Sequence, residues 1–213
     1  MSEKQKKRLI RIIKWIILLG TLMVFAKITE DIFANEIFLF DEVIYQNISY
    51  FMNDIATVFF KIVTNLGSAI TIGAVCVGSI LFLKNKNYSK YIILNTILIT
   101  VFNQVLKNII QRPRPTEHRI INEIGYSFPS GHSMVSMAFY GFIIYLVYKN
   151  VENKKIKYIV CTILTVLILF IGISRIYLGV HYASDVIGGF CFSIAYLIAY
   201  TNLIRNRVTQ RKE

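Results

Sequence analysis

The sequence predicts an all-α integral membrane protein, a bundle of six transmembrane helices with an interfacial amphipathic helix between the first two. Three observations predict it. Hydrophobic residues make up 55% of the 213 and the mean hydropathy is +0.54, more apolar surface than one soluble core hides. The apolar residues gather in six runs near the roughly 20 residues that a spanning helix needs. The Lys and Arg residues collect at alternate ends of those runs, as they do in multi-pass membrane proteins.

The six spans are expected at residues 9–28, 66–83, 91–110, 133–148, 156–173 and 186–204. The first opens on a basic start, Lys4, Lys6, Lys7 and Arg8 before it and Arg11 and Lys14 in its first turns. A signal peptide begins in the same way, but no small-residue cleavage motif follows, so the run is expected to stay as an anchor. Between the first two spans Ile37, Phe40, Ile44, Ile48, Phe51 and Ile55 recur at helical spacing, with Asp41, Glu42, Asn47 and Asp54 between them. That alternation suits a helix lying in the interface, and the aromatics Phe38, Tyr45 and Tyr50 suit an interfacial belt.

Most of the 24 basic residues lie before span one, between spans two and three, between spans four and five, and after span six, where Arg205, Arg207, Arg211 and Lys212 end the chain. The opposite loops hold most of the acids. Both termini are therefore expected in the cytoplasm and the loops carrying the polar motifs outside, in a multi-pass protein of the cell membrane. The net charge of +12 belongs to this segregation and not to a basic helical face, so no nucleic-acid partner is expected. No repeat and no Pro/Gly/Ser-rich linker divides residues 1–213, and a single domain is expected. Cys76, Cys161 and Cys191 each sit in an apolar run without metal-ligand spacing and read as packing residues.

Three polar motifs interrupt this pattern, all on the outer side: Lys107 with Arg114-Pro115, Pro129-Ser130-Gly131-His132, and Ser174-Arg175 with His181 and Asp185. Charged groups at bilayer depth cost roughly 2.5–3.5 kcal/mol each on insertion scales, so they mark function. Three cations suit a dianionic phosphate, because a guanidinium offers a planar fork of donors and an ammonium a compact charge. Ser130-Gly131-His132 precedes the fourth span, where free N–H groups and the helix dipole favour an anion and Gly131 lets the backbone come close. Taken alone, that tetrapeptide is no more than a turn and an N-cap. His181 and Asp185, four apart, share a face if the sixth helix begins by His181, so the carboxylate can orient the imidazole as a nucleophile or base. Arg112 and Arg119 read as interfacial anchors, either being a weak candidate for a second phosphate group, and His118 reads as a loop residue.

The three motifs together resemble the signature of the type 2 phosphatidic acid phosphatase family: Lys, six residues, Arg-Pro; then Pro-Ser-Gly-His; then Ser-Arg, five residues, His, three residues, Asp. Every specified position matches between residues 107 and 185. The resemblance implies a helical membrane phosphatase that needs no metal or other cofactor and forms a phosphohistidine. It makes His181 the nucleophile, Asp185 its orienting partner, and His132 the acid that protonates the leaving alkoxide and then activates water. Lys107, Arg114, Ser130, Gly131 and Arg175 become the phosphate-binding set. Bacterial members of the family act on phosphatidylglycerol phosphate, undecaprenyl pyrophosphate or phosphatidic acid, so the implied partners are a lipid phosphate and the bilayer, with no obligate protein partner. A protein that grips or transports lipid headgroups without cleaving them is the other reading; it requires the cations but not His132, His181 and Asp185.

Overall fold

The computed structural model describes residues 1–36 and 39–208, except the side chain of Asn206. Ile37 and Phe38 of the expected interfacial helix, and Arg211 and Lys212 of the terminal basic cluster, lie outside the described residues. Among the described residues every regular element is a helix: α1 Glu3–Phe33, α2 Leu39–Ser49, α3 Asp54–Leu66, α4 Ala69–Phe82, α5 Lys86–Ile110, α6 Gly131–Asn150, α7 Lys154–Tyr177 and α8 Ala183–Val208. Five of them, α1, α5, α6, α7 and α8, are long and apolar enough to cross a bilayer. The pair α3 and α4, bent by 46° at a short break, is long and apolar enough for a sixth span when taken together.

Most of these helices start where a side chain relieves the unpaired N–H groups. Ser2 and Gln5 form a capping box at α1, Asn53 accepts from Ala56 N at α3, Ser68 from Thr71 N at α4, and Asn153 from Ile156 N at α7. Along α1 no residue is buried and the apolar side chains face outward, as expected of a helix at the lipid boundary that touches the bundle along one side. It packs on α8 and reaches the inner layer through Phe25, whose ring stacks on Phe128 at 5.4 Å.

Two expectations for the region after α1 are corrected. The single amphipathic helix across residues 37–55 is two helices, because the chain breaks at residues 50–53 and Asn53 starts α3 afresh. The second span is likewise not one rod over residues 66–83. The helix α4 has only 14 residues, about 21 Å at 1.5 Å per residue, too short for a ~30 Å hydrocarbon layer. It continues α3 across a break at Gly67 and Ser68. Gly67 is packed so closely that a Cβ there would lie 2.7 Å from Ile171 Cγ2 and 3.3 Å from His132 Cδ2, which places the break beside the fourth span and its histidine.

The centre of the bundle is α6, packed by α5, α7 and α8. Its buried Phe139, Phe142 and Leu146 join Ile72, Ile92, Ile168 and Ile171 in the largest core cluster. Polar residues on the helices tie neighbours together inside this apolar layer. Asn95 Nδ2 donates to Ala138 O at 3.0 Å, Asn103 Nδ2 to Pro129 O at 3.0 Å, and Ser193 Oγ to Met134 O at 2.8 Å. The Asn103 bond has the most bearing on the polar motifs, because it fixes the α5 end against the turn that starts α6.

Candidate active site

The loops from residue 111 to 130 and from 178 to 182 lie at the same end of the bundle. Ile120 N joins the first to the second by donating to Leu178 O at 3.1 Å, Ser127 N closes the first on itself through Arg112 O at 2.8 Å, and Ser130 N ties it to the start of α8 through Asp185 O at 3.1 Å. The three sequence motifs, separated by up to 78 positions between Lys107 and Asp185, are thereby drawn together. Lys107, Arg114, Gly131, His132, Arg175 and His181 all line one cavity of about 350 Å³.

Each cation is held in place. Lys107, in the last turn of α5, donates Nζ to Tyr126 O. Arg114 is braced by carbonyls: Nε to Gly125 O at 3.0 Å, Nη2 to Ile124 O at 3.1 Å and Nη1 to Val180 O at 2.9 Å. Arg175, 1% exposed, donates Nη1 to Thr64 Oγ1 at 2.6 Å and Nη2 to Glu123 Oε1 at 2.5 Å. Its Nε has no hydrogen-bond partner among the described residues. A buried N–H left unpaired costs about 1–3 kcal/mol, and the residue that carries it lines the cavity beside a lysine and a second arginine, a charge set suited to an anion.

His181 closes the cavity. Its Nδ1 lies 3.2 Å from Asp185 Oδ2 and 3.3 Å from Ser127 Oγ, and its Nε2 lies 3.0 Å from Arg114 Nη1. A guanidinium only donates, so Nε2 accepts, and the ring is the tautomer with its proton on Nδ1 facing Asp185. The lone pair of Nε2 therefore points toward the cavity side. Burial pushes the His181 pKa down to about 4; Asp185 pulls against this and Arg114 and Arg175 add to it, which keeps the ring neutral near pH 7.

Asp185 is held from every direction. Oδ2 accepts from Ser127 Oγ and from Tyr182 N at 2.9 Å besides facing His181, while Oδ1 takes Arg112 Nη1 at 2.6 Å. Arg112 in turn bonds Asp41 Oδ2 of α2 at 2.9 Å and Ser184 Oγ at 2.8 Å, and stacks 4.1 Å from the Tyr182 ring centre. Asp41 completes the knot by accepting from Ser184 N at 2.7 Å and Ser184 Oγ at 2.6 Å. The two carboxylates together outweigh burial and raise the Arg112 pKa above its already high ordinary value.

These contacts correct the reading of Arg112 as an interfacial anchor or a second-phosphate contact. It is buried, does not line the cavity that the three cations share, and is bonded behind Asp185. Asp41, expected on a wet helix face, is 7% exposed. Arg119 is exposed, donates to Pro115 O and also stays outside that cavity. His118 is exposed, as expected of a loop residue, with its ring stacked 5.3 Å from Tyr45.

Ser130 departs from the expected set in position. It is fully buried, does not line the cavity, and caps α6 by accepting from Ser133 N at 3.4 Å and Ser133 Oγ at 3.0 Å. Gly131 does line the cavity, and a Cβ on it would come 3.1 Å from Asn103 Oδ1, so the residue's small size keeps the α5 contact and the helix start together. Sequence reasoning missed Glu123, Ser127, Thr64 and Asp41. Arg112 stood next to a recognised motif in Arg-Pro-Arg-Pro, and Asp41 was an acid amid apolar residues, a signal that an ion pair was due. Glu123 and Ser127 lie in a loop without periodicity and gave none. Burial alone opposes ionisation of Glu123, but the charge and hydrogen bond of Arg175, with Arg114, hold it below the usual carboxylate range. Among the described residues no group of three His, Cys, Asp or Glu is disposed to hold a metal.

Phosphatidylglycerophosphatase B of Bacillus subtilis (strain 168) is 37% identical over 95 residues, 44% of this chain and 47% of that protein, so the aligned part spans about half the length of the relative. The crystal structure of a transmembrane PAP2 type phosphatidylglycerolphosphate phosphatase from Bacillus subtilis superposes with a TM-score of 0.82 at 27% identity, over 93% of this chain and 100% of that one. The structure of Aquifex aeolicus LpxE gives a TM-score of 0.64 at 25% identity over 78% of this chain and 96% of that one. Residues 88–209, more than half of the chain and including all three motifs, match the PAP2 superfamily, and this multi-pass membrane protein belongs to it.

Proposed function

We propose that the chain is a membrane lipid phosphate phosphatase that removes a terminal phosphate through a covalent intermediate on His181. The observation that carries the proposal is the convergence of Lys107, Arg114, Arg175, Gly131, His132 and an oriented, neutral His181 on one cavity. Phosphoryl transfer needs chiefly positioning and charge stabilisation. The cations and the first N–H groups of α6 receive the phosphoryl oxygens, and Arg114 turns from Nε2 to an oxygen as substrate enters. The Nε2 lone pair then forms a bond to phosphorus as the P–O bond to the lipid breaks, and protonated His132 donates its proton to the departing oxygen. The positive charge on the His181 ring is stabilised by Asp185. His132, now neutral, takes a proton from water, whose oxygen attacks phosphorus; the N–P bond breaks and phosphate leaves. No step requires a metal, and activity is expected to survive a chelator.

Phosphatidylglycerol phosphate is the substrate this reading favours, supported by the likeness in sequence and in structure to Bacillus subtilis phosphatidylglycerol phosphate phosphatase. Ser130 acts in it as the cap that sets the α6 terminus, with Gly131 supplying the close backbone. The test is phosphate release by the purified protein in bilayers containing phosphatidylglycerol phosphate, undecaprenyl pyrophosphate or phosphatidic acid, each with wild type and His181→Ala. The expected result is fastest turnover of phosphatidylglycerol phosphate, lost by at least a thousandfold in the variant, on the order of the losses seen when a nucleophile is removed. Binding without release from any of the three would instead establish the headgroup-binding reading.

A further inference from the structure

A cavity larger than the catalytic one lies at the other end of the bundle, a groove of about 970 Å³ between α1, α6 and α8. Five cations line it: Lys7, Arg11 and Lys14 from α1, Lys149 from the last turn of α6, and Arg205 near the end of α8. Residues 7, 11, 14 and 18 recur at the i, i+4, i+7, i+11 spacing of one helix face, so the three α1 cations and Leu18 form a single stripe along the groove. Among the described residues no Asp or Glu lines it and none of the five cations has an ion pair. Lys14 makes one polar contact among the described residues, a long one, 3.4 Å from Nζ to Asn202 Oδ1. Toward the membrane interior the wall turns apolar, with Leu18, Ile198 and Ala199.

A general excess of basic residues on one side of the membrane accounts for the cations being at this end. It does not account for five of them, from three helices far apart in the chain, facing one groove, when Lys86, Lys90, Lys154 and Lys155 at the same end stay outside it. Like charges brought together without a counter-ion repel, and at a bilayer boundary the anion at hand is a phospholipid headgroup. We propose that this groove binds one anionic phospholipid of the leaflet at the end away from the catalytic cavity. Its phosphodiester sits among Lys14, Lys149 and Arg205, and an acyl chain runs along Leu18 and Ile198. The site is independent of the catalytic reading, shares no residue with it, and clamps α1 to α6 and α8.

The test is a titration of the full-length detergent-solubilised protein with phosphatidylglycerol or phosphatidylcholine, counting bound lipids by native mass spectrometry. Wild type is compared with Lys14→Gln/Lys149→Gln/Arg205→Gln and with Lys154→Gln/Lys155→Gln/Lys157→Gln, which removes the same charge outside the groove. Each cation near a phosphate contributes about a fivefold factor, so the groove variant is expected to bind phosphatidylglycerol on the order of 100-fold more weakly. The control variant binds as wild type does, and phosphatidylcholine binds weakly to all three. Lys14→Gln alone, expected to show about the fivefold step, covers the case in which the triple variant does not fold, as judged by helical circular dichroism and elution. Equal loss in the groove and control variants, or no loss in the groove variants, would overturn the site. Displacement of the lipid by millimolar glycerophosphoglycerol, the headgroup without tails, would overturn a lipid occupant in favour of a soluble phosphodiester.

Discussion

At the residue scale, the least expected member of the site is Arg112. It touches neither the shared cavity nor His181; it fixes Oδ1 of Asp185 while Oδ2 serves the imidazole. In the proposed mechanism it is a positioning residue. Arg112→Lys keeps the charge but cannot span Asp185, Ser184 and Asp41 from one planar fork, and a misplacement of the nucleophile by about 1 Å costs on the order of 100-fold. The expected outcome is a kcat lower by roughly that factor with KM within about twofold, measured in steady-state phosphate release; Arg114→Lys, by contrast, should raise KM as well. A KM effect as large as the kcat effect in Arg112→Lys would place Arg112 on the substrate instead.

His181 supplies the second prediction at this scale. Its pKa of about 4 lies below the ordinary 6.5 because burial disfavours the imidazolium. Between those two values the unfolded chain takes up a proton that the folded site refuses, so this group makes the fold less stable as pH falls from about 6.5 toward 4. With only three histidines in the chain, ring-labelled histidine NMR can follow each, using His181→Asn to assign the signal. The His181 ring is expected to stay neutral through pH 6, with its proton on Nδ1. A midpoint near 6.5 would show that the ring is solvated and not held as the geometry implies.

At the scale of elements, what was legible in the sequence was whatever repeats. Five long spans followed from apolar runs, but the sixth helix does not begin by His181: α8 starts at Ala183, and Asp185 in its first turn reaches back to the buried loop residue His181 and to Tyr182 N. The division of residues 50–68 was not legible, because apolar residues continue through Asn53 and Gly67 and the breaks depend on caps and on close packing against Ile171 and His132. The seat of α2 was also hidden. Its amphipathic pattern predicts a helix on the membrane surface, yet Asp41 is aimed inward because Arg112 and Ser184 offer it a buried partner set. A buried pair broken on one side costs about 3–5 kcal/mol. Asp41→Ala is therefore expected to release α2 from the start of α8, seen as faster amide exchange over residues 39–49. Activity should fall by about tenfold because Arg112 loses half its anchor. Unchanged exchange in α2 would mean that its apolar contacts to Ile176 and Val186, not the ion pair, hold it there.

At the scale of the whole molecule, the bundle has two chemically distinct ends. One carries the cavity built from loops 111–130 and 178–182 and the acids of α2; the other carries the basic groove and most of the Lys and Arg residues. The proposed orientation puts the basic end in the cytoplasm by the positive-inside rule, and the catalytic cavity then opens to the outer leaflet, where the lipid tail stays in the bilayer as the headgroup enters. Residue 118 reports on this directly. It is exposed, on the loop joining α5 to α6, and outside the lining of the catalytic cavity. The three native cysteines lie in helices, with Cys76 buried and the other two partly so, which leaves a low background. In intact cells His118→Cys is expected to react with a membrane-impermeant maleimide, while Lys154→Cys, at the start of α7, should react only after the cells are opened. Labelling in the reverse order would turn the bundle over, place the phosphate cavity in the cytoplasm, and make the inner leaflet the source of its substrate.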